Sequence, residues 1–561
     1  MVLIDRWVPG VAAARTYDRA WLRSDLVAGL VLAAILVPQG MAYAELAGLP
    51  AVTGLYTTIA CLVGYAIFGP SRVLVLGPDS SVSPLIFAAI MPLLVTNDPG
   101  SAIALAGMLA LLVGLIEIAL GLGKLGFVAD LLSSEVQVGY MNGLAITIVV
   151  SQLPKLCGFS TDADGFVDEL RAWFEHLDAT KAGALAVGLG VLVVLLVLPR
   201  FVPKIPAVLV AVAGATIVSA VLDLSAHGVA TVGTLPQGFP TPSMPWTSLS
   251  DVGPLFLAAI GIVLVSLTDT IATASAFAAR RGDELQPNQE MIGIGAANVA
   301  AGFFQGFAVS TSGSRTAVAE QSGAKSQLTG VVGAGLVAIL LLFLNSLLAD
   351  LPQSALAGVV IAAALSLMNL GALRKYARIR TSSLLLSLVA SLAVIALGVL
   401  QGIVVAIFLA ILLFFRRNWW PHGAVLGRTD DSEGWHSVDD LPGAREEAGI
   451  VVYRWEAPLF FANAGTFRQA IRKLVKARQP RWIVLQCEAI TDIDVTAAAV
   501  LEQLDNELDA DGIHFAFVEM RSRLRDLVER HGLYETLDRD HFYETIDAAL
   551  AAIRDDDGET G

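Results

Sequence analysis

Leu76-Gly-Pro-Asp-Ser-Ser-Val-Ser83 and Val309-Ser-Thr-Ser-Gly-Ser-Arg-Thr316 interrupt two hydrophobic segments in the same way, with small, polar, helix-starting residues where apolar ones are expected. Pro78 lacks a backbone N–H and suits the first turn of a helix. Ser312 is a good N-cap, and Gly313 lets a ligand approach the backbone closely. A helix that begins inside a bilayer points unpaired N–H groups and the positive end of its dipole at whatever lies there. Two such starts, one in each half of a membrane region, are the pattern of a carrier with an anion site near the midplane.

The remainder of the chain supplies that membrane region. Of 561 residues, 55% are hydrophobic and only 16% charged, and the mean hydropathy is +0.68. That composition excludes an ordinary soluble protein. Apolar runs of roughly 17 to 25 residues, each long enough to span a bilayer, recur from Leu26 to Phe415. They predict fourteen spans, at about 25–43, 51–69, 78–95, 102–122, 133–153, 181–199, 205–222, 253–276, 289–307, 312–324, 327–349, 354–370, 382–398 and 401–416, the third and tenth short or interrupted.

Basic residues alternate with this count. Arg15, Arg19 and Arg23 precede the first span. Arg72, Lys124, Arg200 with Lys204, Arg280 with Arg281, Lys325 and Arg374-Lys375 follow even-numbered spans, and Arg416 with Arg417 follows the last. The opposite loops, Asn97–Ser101, Leu222–Ser250 and Leu347–Ala355, contain no Lys or Arg. The positive-inside rule therefore predicts a multi-pass protein of the inner (plasma) membrane with both termini cytoplasmic. No cleavable signal peptide is read ahead of the first span. The mixed-charge loop from Lys155 to Lys181 is expected to hold a short interfacial helix.

The net charge of −15 lies mostly after residue 420. An acidic tail argues against nucleic-acid or anionic-lipid binding. The three cysteines, Cys61, Cys157 and Cys487, are far apart and suggest neither disulfides nor a metal site. The expected organisation is a cytoplasmic N-terminus (1–24), a transmembrane region (25–418), a linker (419–447), a small soluble α/β domain (448–555) and an acidic tail (556–561). In the soluble domain Ile450–Arg454, Trp482–Gln486 and Ile513–Val518 read as strands, and Ala464–Arg478, Thr496–Leu508 and Arg521–His531 as helices.

Three further membrane motifs carry chemistry. Val37-Pro-Gln-Gly-Met-Ala-Tyr-Ala44 places Pro38 in mid-span, where it is expected to break the helix. Gln39 is then either bonded to a neighbouring helix or exposed to a polar cavity as a substrate ligand. Ser266-Leu-Thr-Asp-Thr-Ile-Ala-Thr273 places Asp269 and Thr273 four apart, on one helical face. A carboxylate and a hydroxyl there suit Na⁺, or the carboxylate carries a proton, or it pairs with Arg315. Arg315 itself attracts an anion, neutralises Asp269, or snorkels to a membrane surface. Asp79 should repel an anion; it caps the helix, carries a proton, or faces away. Ser80, Ser81, Ser312 and Ser314 offer hydroxyls to the substrate.

The tail resembles the STAS domain, on Pro458-Leu-Phe-Phe-Ala-Asn463, Ile493-Asp-Val-Thr496 and the order of elements. In anti-sigma-factor antagonists of that type a phosphorylatable Ser follows the matching Asp; here it is Val495. A structural or partner-binding role follows for the tail. Over residues 25 to 555 the chain resembles the SulP family, solute carrier family 26. The resemblance rests on Val37–Ala44, Asn288-Gln-Glu-Met-Ile-Gly-Ile-Gly-Ala-Ala-Asn298, Ser314-Arg-Thr-Ala-Val318, Gly323-Ala-Lys-Ser326 and the STAS tail, in that order. It implies two inverted seven-span repeats, a core moving against a gate, an anion between the starts of spans three and ten, and a homodimer. The Asp-x-x-x-Thr pattern at Asp269 looks like that of the cyanobacterial sodium-dependent bicarbonate carriers. The Asp79-Ser-Ser stretch departs from the small apolar residues usual there.

The leading expectation is a secondary active transporter of sulfate, bicarbonate or a dicarboxylate, working by alternating access with Na⁺ or H⁺ as coupling ion and no cofactor. The alternatives are an uncoupled anion channel or exchanger, a nucleobase carrier of the same fold, and a membrane-tethered signalling protein acting through its tail. No nucleophile–base constellation or metal cluster supports an enzyme.

Overall fold

The computed structural model describes residues 7–94, 98–126, 133–161, 163, 165–202, 206–429, 432–441 and 443–559. Asn97, Lys204 and the last two positions of the tail, Thr560 and Gly561, lie outside the described residues. Two compact units divide the chain, Met1–Ala410 and Ile411–Gly561.

In the first unit, α1 (Pro9–Arg15) precedes the membrane-type helices. These are α2 (Leu22–Leu46), α3 (Ala51–Phe68), α4 (Ser83–Ile90), α5 (Pro99–Leu122) and α6 (Ser134–Cys157). The amphipathic α7 (Phe166–Glu175) occupies the loop where an interfacial helix was expected. Then come α8 (Ala182–Phe201), α9 (Ala207–Val221), α10 (Leu249–Arg281), α11 (Pro287–Phe303), α12 (Gly313–Gln321), α13 (Leu328–Phe343) and α14 (Gln353–Leu367). An amphipathic α15 (Leu370–Ile379), carrying Arg374, Lys375 and Arg378, leads into α16 (Thr381–Leu397) and α17 (Val399–Trp419). Each of the fourteen predicted spans thus has its helix. Among the described residues seven helical stretches, one of them α14 joined to α15, are long and apolar enough to cross a membrane; α4 and α12, the third helix of each set of seven, are the shortest of the fourteen.

Helix packing sorts these elements into two groups. One contains α2, α3, α4, α5, α10, α11, α12 and α13; the other contains α6, α8, α9, α14 and α16. Glycines set the closest approaches within the first group. A Cβ on Gly54 would lie 1.9 Å from the Gly40 carbonyl, and one on Gly114 2.5 Å from the Gly295 carbonyl. Small residues let membrane helices pack backbone to backbone.

Two expectations about prolines are corrected. Pro38 does not break its helix: α2 runs unbroken through it, because the flanking Gly40 is locked against Gly54 and Thr58 of α3. Pro78 is not in a first helical turn. Residues Leu76–Gly77 form a short strand, β1, and the helix begins five residues after Pro78, at Ser83, with Pro84 in its first turn.

The second unit builds one six-stranded sheet from β3 (Gly423–Thr429), β4 (Ser432–Ser437), β5 (Ile450–Trp455), β6 (Trp482–Gln486), β7 (His514–Val518) and β8 (Phe542–Tyr543), in the order β4-β3-β5-β6-β7-β8. The strands from β5 to β8 are parallel, with Val452, Val484 and Ala516 in register. Helices α18 (Ala464–Arg478), α19 (Val495–Ala510) and α20 (Ser522–Arg530) belong to this unit. Phe467 and Leu501 pack on one face of the sheet with Tyr453, Leu485 and Phe517. The C-terminal α21 (Ile546–Glu559) covers the other face through Ile546, Ala549, Leu550 and Ile553. The stretch 419–447, expected as a linker, instead supplies β3 and β4, which read poorly as strands because Gly423, Gly427 and Gly434 interrupt their pattern. The acidic tail is partly the end of α21.

Candidate anion site between two helix starts

The two interruptions meet. Leu76–Gly77 pairs antiparallel with β2 (Ser310–Thr311), Leu76 opposite Thr311 and Gly77 opposite Ser310. The Ser312 N–H extends the ladder to the Val75 carbonyl (3.1 Å), and the Val75 N–H donates to Thr316 Oγ1 (3.1 Å). These strands satisfy backbone groups that apolar surroundings cannot, and they place the starts of α4 and α12 side by side.

The start of α4 is closed by its own side chains. Asp79 Oδ2 accepts from the Ser81 N–H (2.9 Å) and the Ser81 hydroxyl (2.7 Å), while its carbonyl accepts from the Ser83 N–H (3.0 Å) and hydroxyl (2.8 Å). Arg315 reaches across from α12: Nη1 donates to the Pro78 carbonyl at 2.7 Å, and Nη2 lies 3.4 Å from Asp79 Oδ1. Side-chain exposures of 1% for Arg315 and 12% for Asp79 make this a buried ion pair. Arg315 therefore neither snorkels nor pairs with Asp269; its partner is Asp79. Its positive charge is compensated within the protein, and Asp79 caps the turn before α4. Ser80 and Ser81 are buried beneath it, with Tyr43 beside Ser80.

The start of α12 is open. Ser312 caps it, accepting from the Arg315 N–H at 3.5 Å, and its hydroxyl meets that of Ser314 at 3.1 Å. Gly313 and Ser314 are exposed. The first N–H groups of a helix have no intrahelical acceptor, so this end presents donors and a positive dipole to a visitor. A Cβ on Gly313 would still be 3.9 Å from Thr273, so Thr273 of α10 stands at the rim. Asp269, one turn earlier on the same face, lies beside Ser81 and beside Gln137 of α6, on the other helix group. Gln39 is half-exposed on α2.

Three buried carboxylates of the first unit escaped the sequence reading. Asp25 is fully buried and accepts from the Lys325 N–H (2.7 Å), the Ser326 N–H (3.2 Å), and the hydroxyls of Ser326 (2.7 Å), Thr329 (3.0 Å) and Tyr17 (3.1 Å). It fastens α2 to the Lys325–Ser326 turn. Glu290 accepts from the Tyr65 hydroxyl (2.6 Å) and from Ser71. Glu117 is fully buried on α5, with Ser266 Oγ at 3.0 Å and Asn298 Nδ2 at 2.8 Å. The signal was available: an acid inside or at the edge of an apolar span is costly unless it has a role.

The model of the Sulfate permease family matches residues 22–390, and that of the STAS domain matches 442–549. A protein of Mycobacterium tuberculosis named "Probable sulfate transporter" is 42% identical over 98% of both chains. The chain belongs to the sulfate permease family. Its fold is that of the murine solute carrier 26 member A9 anion transporter, with a TM-score of 0.91 at 24% identity over 99% of this chain and 95% of that one. The transmembrane domain of a cyanobacterial bicarbonate transporter matches with a TM-score of 0.61 at 24% identity, over 70% of this chain and 97% of that one. The fourteen helices are accordingly the family's two inverted seven-helix repeats, followed by a STAS domain, in a multi-pass membrane protein. The family motif Asn288–Asn298 acquires a structural meaning here: Gln289 Nε2 donates to the Phe68 carbonyl (3.0 Å), Asn288 Oδ1 accepts from the Gly126 N–H (3.0 Å), and Glu290 and Asn298 join buried networks.

Proposed function

We propose that the protein carries a small inorganic anion, of the sulfate or bicarbonate class, across the plasma membrane by alternating access, the anion binding at the open start of α12. The observation that carries this reading is the asymmetry between the two starts. Asp79 and Arg315 neutralise each other, while Gly313 and Ser314 are exposed at a capped helix N-terminus. Ser312, Ser314 and Gln39 add polar contacts; Pro78, Asp79, Ser80 and Ser81 form the wall rather than the donor set. The core is the group of α2 to α5 with α10 to α13, which moves against the gate group. Both termini are cytoplasmic, the transporter is a homodimer, and the STAS domain binds a cytoplasmic partner.

Two modes of transport remain distinct. The relatives' names speak of sulfate, bicarbonate and anions, and an uncoupled exchanger or channel needs nothing beyond such an anion site. Asp269 favours the coupled mode: it has no cation partner among the described residues, it shares a helical face with Thr273, and it sits where the two helix groups meet. Na⁺ or a proton there would neutralise it as the anion arrives. Uptake of labelled sulfate, bicarbonate and succinate into proteoliposomes, with and without Na⁺ and at two pH values, separates these modes. A coupled carrier loses its cation dependence in Asp269→Asn; an uncoupled one has none to lose. Absence of uptake of all three anions would overturn the transport reading.

A further inference from the structure

We propose that Glu117 is a proton-binding residue that positions the open helix start, through a hydrogen-bond relay ending on the backbone of Val309. The proposal rests on the reading that Ser312 to Ser314 hold the anion.

The relay is complete in named atoms. Glu117 Oε2 accepts from Asn298 Nδ2 (2.8 Å), and Asn298 Oδ1 accepts from the Val309 N–H (2.8 Å). A backbone N–H can only donate, so the Asn298 amide is fixed with its NH₂ group toward Glu117. Ser266 Oγ lies 3.0 Å from Glu117 Oε1 and 3.5 Å from the Val309 carbonyl. A hydroxyl has one proton, so it serves one of these acceptors at a time. With Glu117 ionised, Ser266 donates to the carboxylate. When Glu117 takes a proton from water, its new O–H donates to Ser266 Oγ, and Ser266 turns its own proton to the Val309 carbonyl. Val309 is followed directly by β2 and then by the Ser312 cap. Protonation thus fastens both the N–H and the carbonyl of the residue that leads into the anion site.

The surroundings favour a group that changes state. Glu117 is fully buried, and both of its donors are neutral side chains. Asp25, equally buried, receives five hydrogen bonds, two from backbone N–H groups. Burial of a charge is costly unless many donors replace water, and among the described residues Glu117 has two donors where Asp25 has five. The titratable or charged groups on the helices packed against α5 are Glu290 on α11 and Asp251, Asp269, Arg280 and Arg281 on α10; α4 carries none, though Asp79, paired with Arg315, lies just before it. Among the described residues none of these forms an ion pair with Glu117.

The test uses the purified full-length protein. Sulfate affinity of the wild type is expected to tighten about five- to tenfold from neutral to acid pH. Glu117→Gln, which imitates the protonated acid toward both Ser266 and Asn298, should reduce that ratio below about twofold. Ser266→Ala, which removes the relay and keeps the carboxylate, should do the same and covers the case in which Glu117→Gln does not fold. An infrared band of a buried protonated carboxyl, present in the acid-pH wild type and missing in Glu117→Gln, reports the proton directly. An unchanged pH ratio in the variants overturns the proposal, as does the absence of that band. Failure of the wild type to bind sulfate at any pH strikes instead at the anion-site reading, and the infrared band then decides on Glu117 alone.

Discussion

At the start of α4, Asp79 takes the Ser81 N–H and hydroxyl and pairs with Arg315; at the start of α12, Gly313 and Ser314 stand exposed behind the Ser312 cap. The two segments have similar letters and lie on two strands of one small ladder. What separates them is where a single charge goes. A carboxylate close to one helix start fills the role that an external anion would fill, and an arginine borrowed from the other start keeps it there. The pair closes one end of the crossing and leaves the other exposed, which is the end proposed above to hold the substrate.

Breaking the closed start should have the largest effect. Arg315→Ala leaves Asp79 buried without its cation, and removal of one partner from such a pair costs about 3–5 kcal/mol. Thermal unfolding of the purified protein should show that loss, and Asp79→Asn combined with Arg315→Gln should recover most of it. Equal stability of Arg315→Ala and wild type would mean that the pair does not hold this crossing.

The glycines sharpen the contrast next. A methyl group on Gly77 would lie 2.8 Å from Arg315 Nη1, whereas one on Gly313 would have no heavy atom closer than 3.9 Å. Gly77→Ala should therefore destabilise by about 1–3 kcal/mol, and Gly313→Ala by less than about 0.5 kcal/mol. Gly313→Phe should weaken sulfate binding at least about tenfold while the protein stays folded. The reverse pattern, with Gly77→Ala tolerated and Gly313→Ala destructive, would exchange the roles of the two starts. Ser312→Ala should cost about 1 kcal/mol of stability as a lost cap and also weaken binding, an effect separable by comparing Tm with affinity.

The effect most distant from the crossing concerns an acid that forms no ion pair among the described residues. Asp505, buried on α19 of the STAS unit, has its carboxyl pushed up to about 7 by burial, with Asp509 and Asp538 adding to the shift. Its pKa is raised on folding, so the bound proton stabilises the fold at low pH. That contribution is complete below the usual aspartate range and disappears as the pH rises through about 7. Asp505→Asn should accordingly stabilise the STAS unit above neutral pH by about 1–2 kcal/mol and leave it nearly unchanged under acid conditions. Amide exchange of α19 in the full-length protein measures both.

Much of the membrane architecture was legible from local pattern. Hydropathy marked all fourteen spans, and Ser312 announced its cap because a cap is read from neighbours in sequence. The Asp79–Arg315 pair was not legible, since its members are 236 positions apart and meet only when β1 crosses β2. Pro78 misled because a proline before a helix and one in its first turn look alike, and Pro84 was the one inside. Pro38 misled because its consequence depends on how tightly α3 packs beside it. Glu117, Glu290 and Asp25 carried a signal of cost but none of partner. In the tail, parallel strands buried on both faces read clearly, while the glycine-broken hairpin of β3 and β4 did not.

On the proposed function the anion sits on the open start of α12. Selenate, a heavier stand-in for sulfate, can be located by anomalous diffraction from crystals of the transporter. A selenium peak is expected within hydrogen-bonding distance of the Gly313 and Ser314 N–H groups, with the Asp79–Arg315 pair intact. A peak on the Arg315 guanidinium, with Asp79 displaced, would contradict it.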